Sequence, residues 1–357
     1  MDIIAYYLPQ FHPIPENDEW WGKGFTEWTN VGKAKPLFRN HYQPKVPADL
    51  GYYDLRLPQV REEQAKLAKE AGISAFCYWH YWFGDGRRLL EHPFNEVINS
   101  GSPDFPFCLG WANESWKAKI WAKVKNKEDK TLIEQKYPGD DDIKAHFYEI
   151  INALRDKRYF RVDNKPVFVI YRPKLLPNPQ NFIKIWNELL NKEGLGESFY
   201  FVGHTLYTKE ISKVKELGFS NVNVFPLGDL KRDVKFNICH PFVLLRHFVF
   251  KKPLIYPYKE VIKYFSKVYK SNRDAIPCIV PNWDHTPRSG KNGVVFHNSN
   301  PFLFANHVKE TIKLIKDDSD KIVFLKSWNE WGEGNYLEPD LKFGKSYIKA
   351  LKENIYQ

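Results

Sequence analysis

Residues 321–334 read KIVFLKSWNEWGEG, a short continuous apolar run that passes directly into a cluster of aromatic and polar side chains. A run that is apolar at consecutive positions rather than alternate ones suits a parallel strand buried on both faces. Seven further runs share this texture: DIIAYYLPQF (2–11), ISAFCYWHYW (73–82), PFCLGWANE (106–114), KPVFVIYRP (165–173), FYFVGHT (199–205), VNVFPL (222–227) and IPCIVPNWD (276–284). The eighth strand is expected over 321–331.

Helix-like stretches separate them. Ile143, Phe147, Ile150, Ile151 and Leu154 form one stripe, as do Phe304, Val308, Ile312 and Ile315. LPQVREEQAKLAKEAG ends on Gly72, a residue suited to closing a helix before the second strand, and GKSYIKALKENIYQ supplies a last helix. PGDDD (138–142) reads as the acidic first turn of the helix at 143–154 rather than as a metal site. Eight strands, nearly all followed by helices, predict a (β/α)8 TIM barrel, an α/β fold. A doubly wound sheet would place a glycine-rich turn after the first strand, where LPQFHPIPEND stands instead. A typical barrel needs about 250 residues, so the rest of the 357 must lie in elaborated βα loops, at 12–56, 84–92, 114–140 and 228–260. No repeat or linker marks a boundary. The expectation is one barrel over 1–357 with a loop insertion around 228–260.

Composition excludes several classes. A chain 43% hydrophobic and 16% aromatic is not disordered. The formal charge of +10 comes from lysines interleaved with acids, which predicts a solvated face rather than a nucleic-acid interface. No apolar run is long enough for a transmembrane segment. The start, MDIIAYY, lacks the basic and apolar regions of a secretory leader, so a cytoplasmic location is expected. Cys77, Cys108, Cys239 and Cys278 show no CxxC spacing and are expected to be reduced and buried.

In a barrel the carboxyl ends of all strands face one pocket. Tyr7, Gln10, His12, Trp28, Tyr78, His80, Tyr81, Trp111, Asn113, Glu114, Tyr171, Arg172, Trp283, Asp284, Arg288, Trp328, Asn329 and Trp331 are therefore candidates to bind an oligosaccharide or polysaccharide. Flat rings stack on sugar C–H faces, while amides and charged groups bond hydroxyls. Glu330 and Glu333 are the catalytic candidates, because glycosidic cleavage needs one carboxyl to protonate the departing oxygen and another to supply or activate the nucleophile. Aromatic neighbours would raise the pKa of one of them, and Gly332 and Gly334 would permit a tight turn between them. Asp284 and Arg288 could bind sugar or pair with each other. No HExxH or paired-His spacing marks a metal site, and no metal or cofactor is expected.

The segments AYYLPQFHPIPENDEWWGKGFTEWTNV (5–31), CYWHYWFGDGRRLLE (77–91), LGWANESW (109–116), KPVFVIYRP, PNWDHTPR (281–288) and SWNEWGEGNYLEP (327–339) together resemble the WbsX-type family, which is related to glycoside hydrolase family 99. That resemblance implies a barrel acting on α-mannosidic linkages with retention and without a metal. In the implied route Glu330 would assist attack by the sugar's own 2-hydroxyl, and Glu333 would act as acid/base. An ordinary two-carboxylate mechanism using Glu114 with Glu330 stays open. So do glycosyl transfer in O-antigen or capsule assembly and a non-catalytic glycan-binding role.

Overall fold

A computed structural model describes residues 1–118, 130–233, 243, 245, 247, 249–316 and 321–355. Eight strands form the barrel: β1 (Asp2–Tyr7), β2 (Ala75–His80), β3 (Phe107–Trp111), β4 (Lys165–Ile170), β5 (Tyr200–Thr205), β6 (Asn221–Val224), β7 (Ile276–Ile279) and β8 (Ile322–Leu325). Each is parallel to its neighbours. The ladder closes where β1 meets β8, with Asp2 opposite Ile322 and Ala5 opposite Leu325. The sequence placed all eight in order.

The strands are shorter than the apolar runs suggested. β8 stops at Leu325 and β7 at Ile279, so the aromatic and polar tails lie beyond the ladder, in loops. A tail that must bend toward the barrel axis cannot keep pairing edge to edge, which is why the run continues while the strand does not.

Rings fill the interior. Tyr6 stacks on Trp79 at 4.7 Å and on Phe324 at 4.9 Å, and its hydroxyl crosses the barrel to donate to Asn223 Oδ1 at 3.0 Å. The helix at Pro58–Ala71 ends as expected, with Gly72 left-handed at φ 80°. The stripe from Ile143 to Leu154 is split by Ile150 into helices Asp140–Glu149 and Ile151–Arg155, and three aspartates occupy the first turn. The helices at Pro301–Ile315 and Ser346–Lys352 occupy the other expected stretches.

The long loops have their own structure. The one after β1 holds helices Pro15–Trp21 and Glu27–Gly32. The loop after β3 pairs Trp116–Ala118 with Lys130–Ile133. Part of the segment at 228–260, residues 234–242, 244, 246 and 248, lies outside the described residues; near its end, Leu254–Pro257 pairs in parallel with Val294–His297. Cys77, Cys108 and Cys278 are free and buried, and Cys239 lies outside the described residues. No helix among the described residues is long and apolar enough to cross a membrane.

Candidate active site

The chain leaves β8 at Leu325 and folds back on itself just above the barrel. Asn329–Glu330 pairs antiparallel with Asn335–Tyr336, and a 3-10 turn at Trp331–Glu333 joins them. Side chains three apart eclipse on such a turn, so Glu330 and Glu333 project from one side. The Ser327 hydroxyl accepts from the Glu330 N–H at 2.9 Å. The Asp284 N–H donates to the Glu333 carbonyl at 2.8 Å, and Lys45 Nζ to the Gly334 carbonyl at 3.0 Å.

The two glycines serve different ends. Gly334 is left-handed at φ 54° and closes the turn as expected. Gly332 has no such backbone need; a Cβ there would sit 1.8 Å from Glu27 Oε2. The residue is small because a carboxylate presses against it.

Arg288 organises the cluster. Its Nη1 donates to Glu330 Oε1 at 3.1 Å and to Glu333 Oε1 at 2.5 Å, and its Nε donates to Glu27 Oε2 at 3.0 Å. Because one nitrogen reaches both catalytic candidates, their facing oxygens can be no further apart than those two distances laid end to end. His285 Nε2 adds a second contact to Glu333 Oε1 at 3.3 Å. Burial, reinforced by the negative charge of Glu333, raises the pKa of Glu330. Burial would raise Glu333 too, but the Arg288 guanidinium and the charge and hydrogen bond of His285 outweigh it and hold that carboxyl well below the usual range. Two carboxylates three residues apart are thus driven in opposite directions.

Tyr81 and Tyr171 lie near the pair. Burial raises both hydroxyls, and the charge of Glu330 raises them further. On the same side Glu114 accepts from Arg172 Nε at 2.9 Å, and the guanidinium lies 4.3 Å from the centre of the Tyr171 ring. Asn113 holds that corner from beneath: its Oδ1 accepts from the Arg172 N–H at 2.8 Å and its Nδ2 donates to the Arg172 carbonyl at 3.0 Å. Asn113 therefore positions Arg172 rather than facing the opening.

Other candidates lie in the packing. The Tyr7 hydroxyl donates to Gln64 at 2.7 Å and its ring packs on Tyr78 at 4.5 Å. Trp328 is buried against Phe76. His80 shares a 2.9 Å contact between ring nitrogens with His146, and Trp111 Nε1 donates to the Trp82 carbonyl at 2.9 Å. His12 is buried with Nδ1 at 3.1 Å from the Pro9 carbonyl, and burial lowers its pKa to about 4. Tyr7, Tyr78, His80 and Trp111 point away from the barrel axis because alternate residues of a strand face opposite sides, while His12 and Trp328 are buried beyond the strand ends.

Four more support the site. Asn329 clamps β1, accepting from the Leu8 N–H at 2.8 Å and donating to the Leu8 carbonyl at 3.0 Å. Trp331 stacks on Tyr336 at 3.7 Å and donates to Glu338 at 2.6 Å. Trp28 packs on Trp331 and donates to the Tyr53 carbonyl at 2.7 Å. The Gln10 carbonyl accepts from the Glu27 N–H at 3.2 Å, so its backbone helps seat that glutamate.

Asp284 does not pair with Arg288, whose partners are Glu27, Glu330 and Glu333. Its carboxylate is 2.7 Å from His41 Nε2 and accepts from Gln43 at 2.6 Å and from the Thr286 N–H and hydroxyl at 3.0 and 2.6 Å. It thereby holds the short helix Thr286–Ser289 that carries Arg288. Trp283 is buried with its ring 6.3 Å from His285. Among the described residues no group of three metal-ligating side chains is placed to hold an ion.

Sequence reasoning missed Glu27, His285 and Lys326. Glu27 stands in a long loop, where no periodicity says which residue returns to the barrel. His285 stands in PNWDHTPR but was not among the candidate catalytic or sugar-binding residues. Lys326 was detectable, since it falls two residues after inward-facing Phe324.

The family model described as Glycosyltransferase WbsX matches residues 3–351. Two proteins named "Uncharacterized protein WxcX", from Xanthomonas campestris pv. campestris strains B100 and ATCC 33913, are each 35% identical over 359 residues. The match covers 98% of this chain and 49% of theirs, so the chain spans about half the length of these curated relatives. The GH99 endo-alpha-mannosidase from Bacteroides thetaiotaomicron is similar in structure, with a TM-score of 0.56 at 14% identity over 99% of this chain and 95% of that one. A glycoside hydrolase-like protein gives a TM-score of 0.60 at 14% identity over 99% and 93%. At such identities the structural likeness establishes the barrel alone. With a family match running nearly end to end, the chain belongs to the WbsX glycosyltransferase family.

Proposed function

We propose that the protein breaks or remakes a glycosidic bond in an oligosaccharide or polysaccharide, with Glu330 and Glu333 as its acid and base. The observation that carries this reading is the single Arg288 nitrogen bonded to both carboxylates, which holds them in one small volume. Their facing oxygens lie closer than the about 6.5–9.5 Å that an inverting water requires, which favours retention.

The electrostatics favour Glu330 as the carboxyl that keeps its proton and Glu333 as the ionised partner. That division is the reverse of the one the family resemblance implies. Glu330 would then protonate the departing oxygen, and Glu333 would attack directly or assist the sugar's 2-hydroxyl. Glu114, tied to Arg172, is better placed to orient the glycan than to join the pair. An α-mannosidic linkage is the first to try, because the structurally similar Bacteroides protein is titled an endo-alpha-mannosidase.

Transfer is the second reading, favoured by the family's description as a glycosyltransferase. A retaining site can pass its sugar to an alcohol in place of water, so the same residues serve both outcomes. The deciding experiment screens glycans and sugar nucleotides with wild type, Glu330→Gln and Glu333→Gln. Turnover that survives both substitutions removes the proposed roles. Strict need for a nucleotide donor selects transfer, and binding without turnover in any protein selects a glycan-binding role.

A further inference from the structure

Lys326 follows the last ladder residue of β8, and its N–H still donates to the Ile279 carbonyl at 2.9 Å. It shares a side of the chain with Phe324, so its stem rises inside the barrel toward the glutamates. The residue is 6% exposed. Its ammonium lies 5.5 Å from the centre of the Phe225 ring and 5.7 Å from those of Tyr6 and Trp283. Its charge acts on both Glu330 and Glu333, so it lies near the pair.

The arginines near the pair are occupied. Arg288 is taken by Glu27, Glu330 and Glu333, and Arg172 by Glu114. Among the described residues Lys326 has neither an ion-pair partner nor a hydrogen-bond acceptor; ring faces surround it instead. Trp283, in the same aromatic cage and also 6% exposed, has a buried Nε1–H with no acceptor among the described residues. An enclosed cation and an enclosed N–H are both costly to leave unmatched. Two open donors, one of them charged, call for an anion with two acceptor oxygens. A sugar hydroxyl would serve the indole N–H but would leave the ammonium charge uncompensated.

We propose that Lys326 and Trp283 form the floor of the sugar subsite and bind a carboxylate carried by the sugar, so that the substrate is an acidic glycan of the uronic-acid class. This rests on the glycan-processing reading given above and specifies its substrate. Aromatic faces and a cationic floor then bind the same sugar, the rings through its C–H faces and the ammonium through its acid group. Glu330, held toward its neutral form, limits repulsion of the incoming anion.

The test measures binding by calorimetry of oligomers of glucuronate, galacturonate and mannuronate against the matching neutral oligomers of glucose, galactose and mannose. The proteins are the full chain in wild-type form, Lys326→Met and Trp283→Phe. Wild type should bind at least one acidic oligomer about tenfold or more tightly than its neutral counterpart, the scale of one charge-assisted hydrogen bond. Lys326→Met keeps an unbranched apolar stem among the rings and should abolish that preference. Trp283→Phe, which removes the N–H donor and part of the ring, should weaken acidic binding several-fold more than neutral binding. If Lys326→Met does not fold, the Trp283→Phe comparison decides.

Equal or tighter binding of the neutral oligomers to wild type overturns the proposal. So does a preference untouched by the substitutions, or no binding of any acidic oligomer. Turnover of a neutral glycan that stops in Glu330→Gln would overturn this inference while upholding the enzymatic reading.

Discussion

Gly332 and Glu27 meet so closely that a Cβ on the glycine would overlap the carboxylate, at 1.8 Å from Oε2. Glu27 comes from the loop after β1 and Gly332 from the turn after β8, so the contact joins the two ends of the barrel's strand sequence. Glu27 is 3% exposed and anchored by Arg288, and cannot move aside without releasing that bond.

Gly332→Ala is therefore expected to displace Glu27, cost about 1–3 kcal/mol through overpacking, and lower turnover by about tenfold or more as Arg288 shifts. Thermal melting and kinetics measured together check this. Adding Glu27→Gly, which clears the space, should make the double variant's loss of stability smaller than the sum of the two single losses. Strict additivity would show that the two residues do not touch in solution.

Arg288→Met would leave three carboxylates facing one another without their cation. Breaking a buried cluster of this kind costs about 3–5 kcal/mol. Activity in the wild type should need Glu330 protonated and Glu333 ionised. Its alkaline limb should then lie above the ordinary glutamate value and its acidic limb well below it. Losing Arg288 lets burial prevail at Glu333, so the acidic limb of the pH–rate profile should move upward. An unmoved limb would show that Arg288 does not set that ionisation.

Glu338 offers a stability test away from the chemistry. It is buried, accepts from Trp331 Nε1, Gln64 Nε2 and the Tyr53 hydroxyl at 2.6, 2.7 and 2.9 Å, and burial outweighs those donors to raise its pKa to about 7. The unfolded chain would lose this proton near pH 4.5, whereas the folded chain keeps it until about pH 7. Stability from this group is complete below the lower value and declines as pH rises through the window, by about 3 kcal/mol at most. Denaturant unfolding from pH 4.5 to 7.5 should show that decline in wild type and a flatter profile in Glu338→Gln.

Asp284→Asn separates support from sugar contact. Because its carboxylate is already engaged by His41, Gln43 and Thr286, the substitution should lower Tm while glycan affinity changes by less than about threefold. Lost affinity at an unchanged Tm would instead place Asp284 in the sugar site.

The barrel was legible in the chain because burial on both strand faces writes a continuous apolar run that survives in one dimension, and all eight runs became strands in order. Glu330 and Glu333 were legible for a similar reason: three residues apart on one turn, their proximity is local. The aromatic and polar residues around them were harder to place, because a strand sends successive side chains to opposite faces. Tyr7, Tyr78, Trp111 and Trp328 look like pocket residues in the sequence and pack as core, while His80 faces a buried histidine.

What the amino-acid order determined, then, was the ladder, the helix stripes and the pair on the final turn, all set by neighbours within a few residues. Only the tertiary structure brought Glu27 from the first loop to Arg288, turned Asp284 away into its own hydrogen bonds, and left Lys326 among rings with no counter-ion among the described residues. Those relations arise when the barrel closes, since closure brings residues hundreds of positions apart within hydrogen-bond reach and decides which charges are matched.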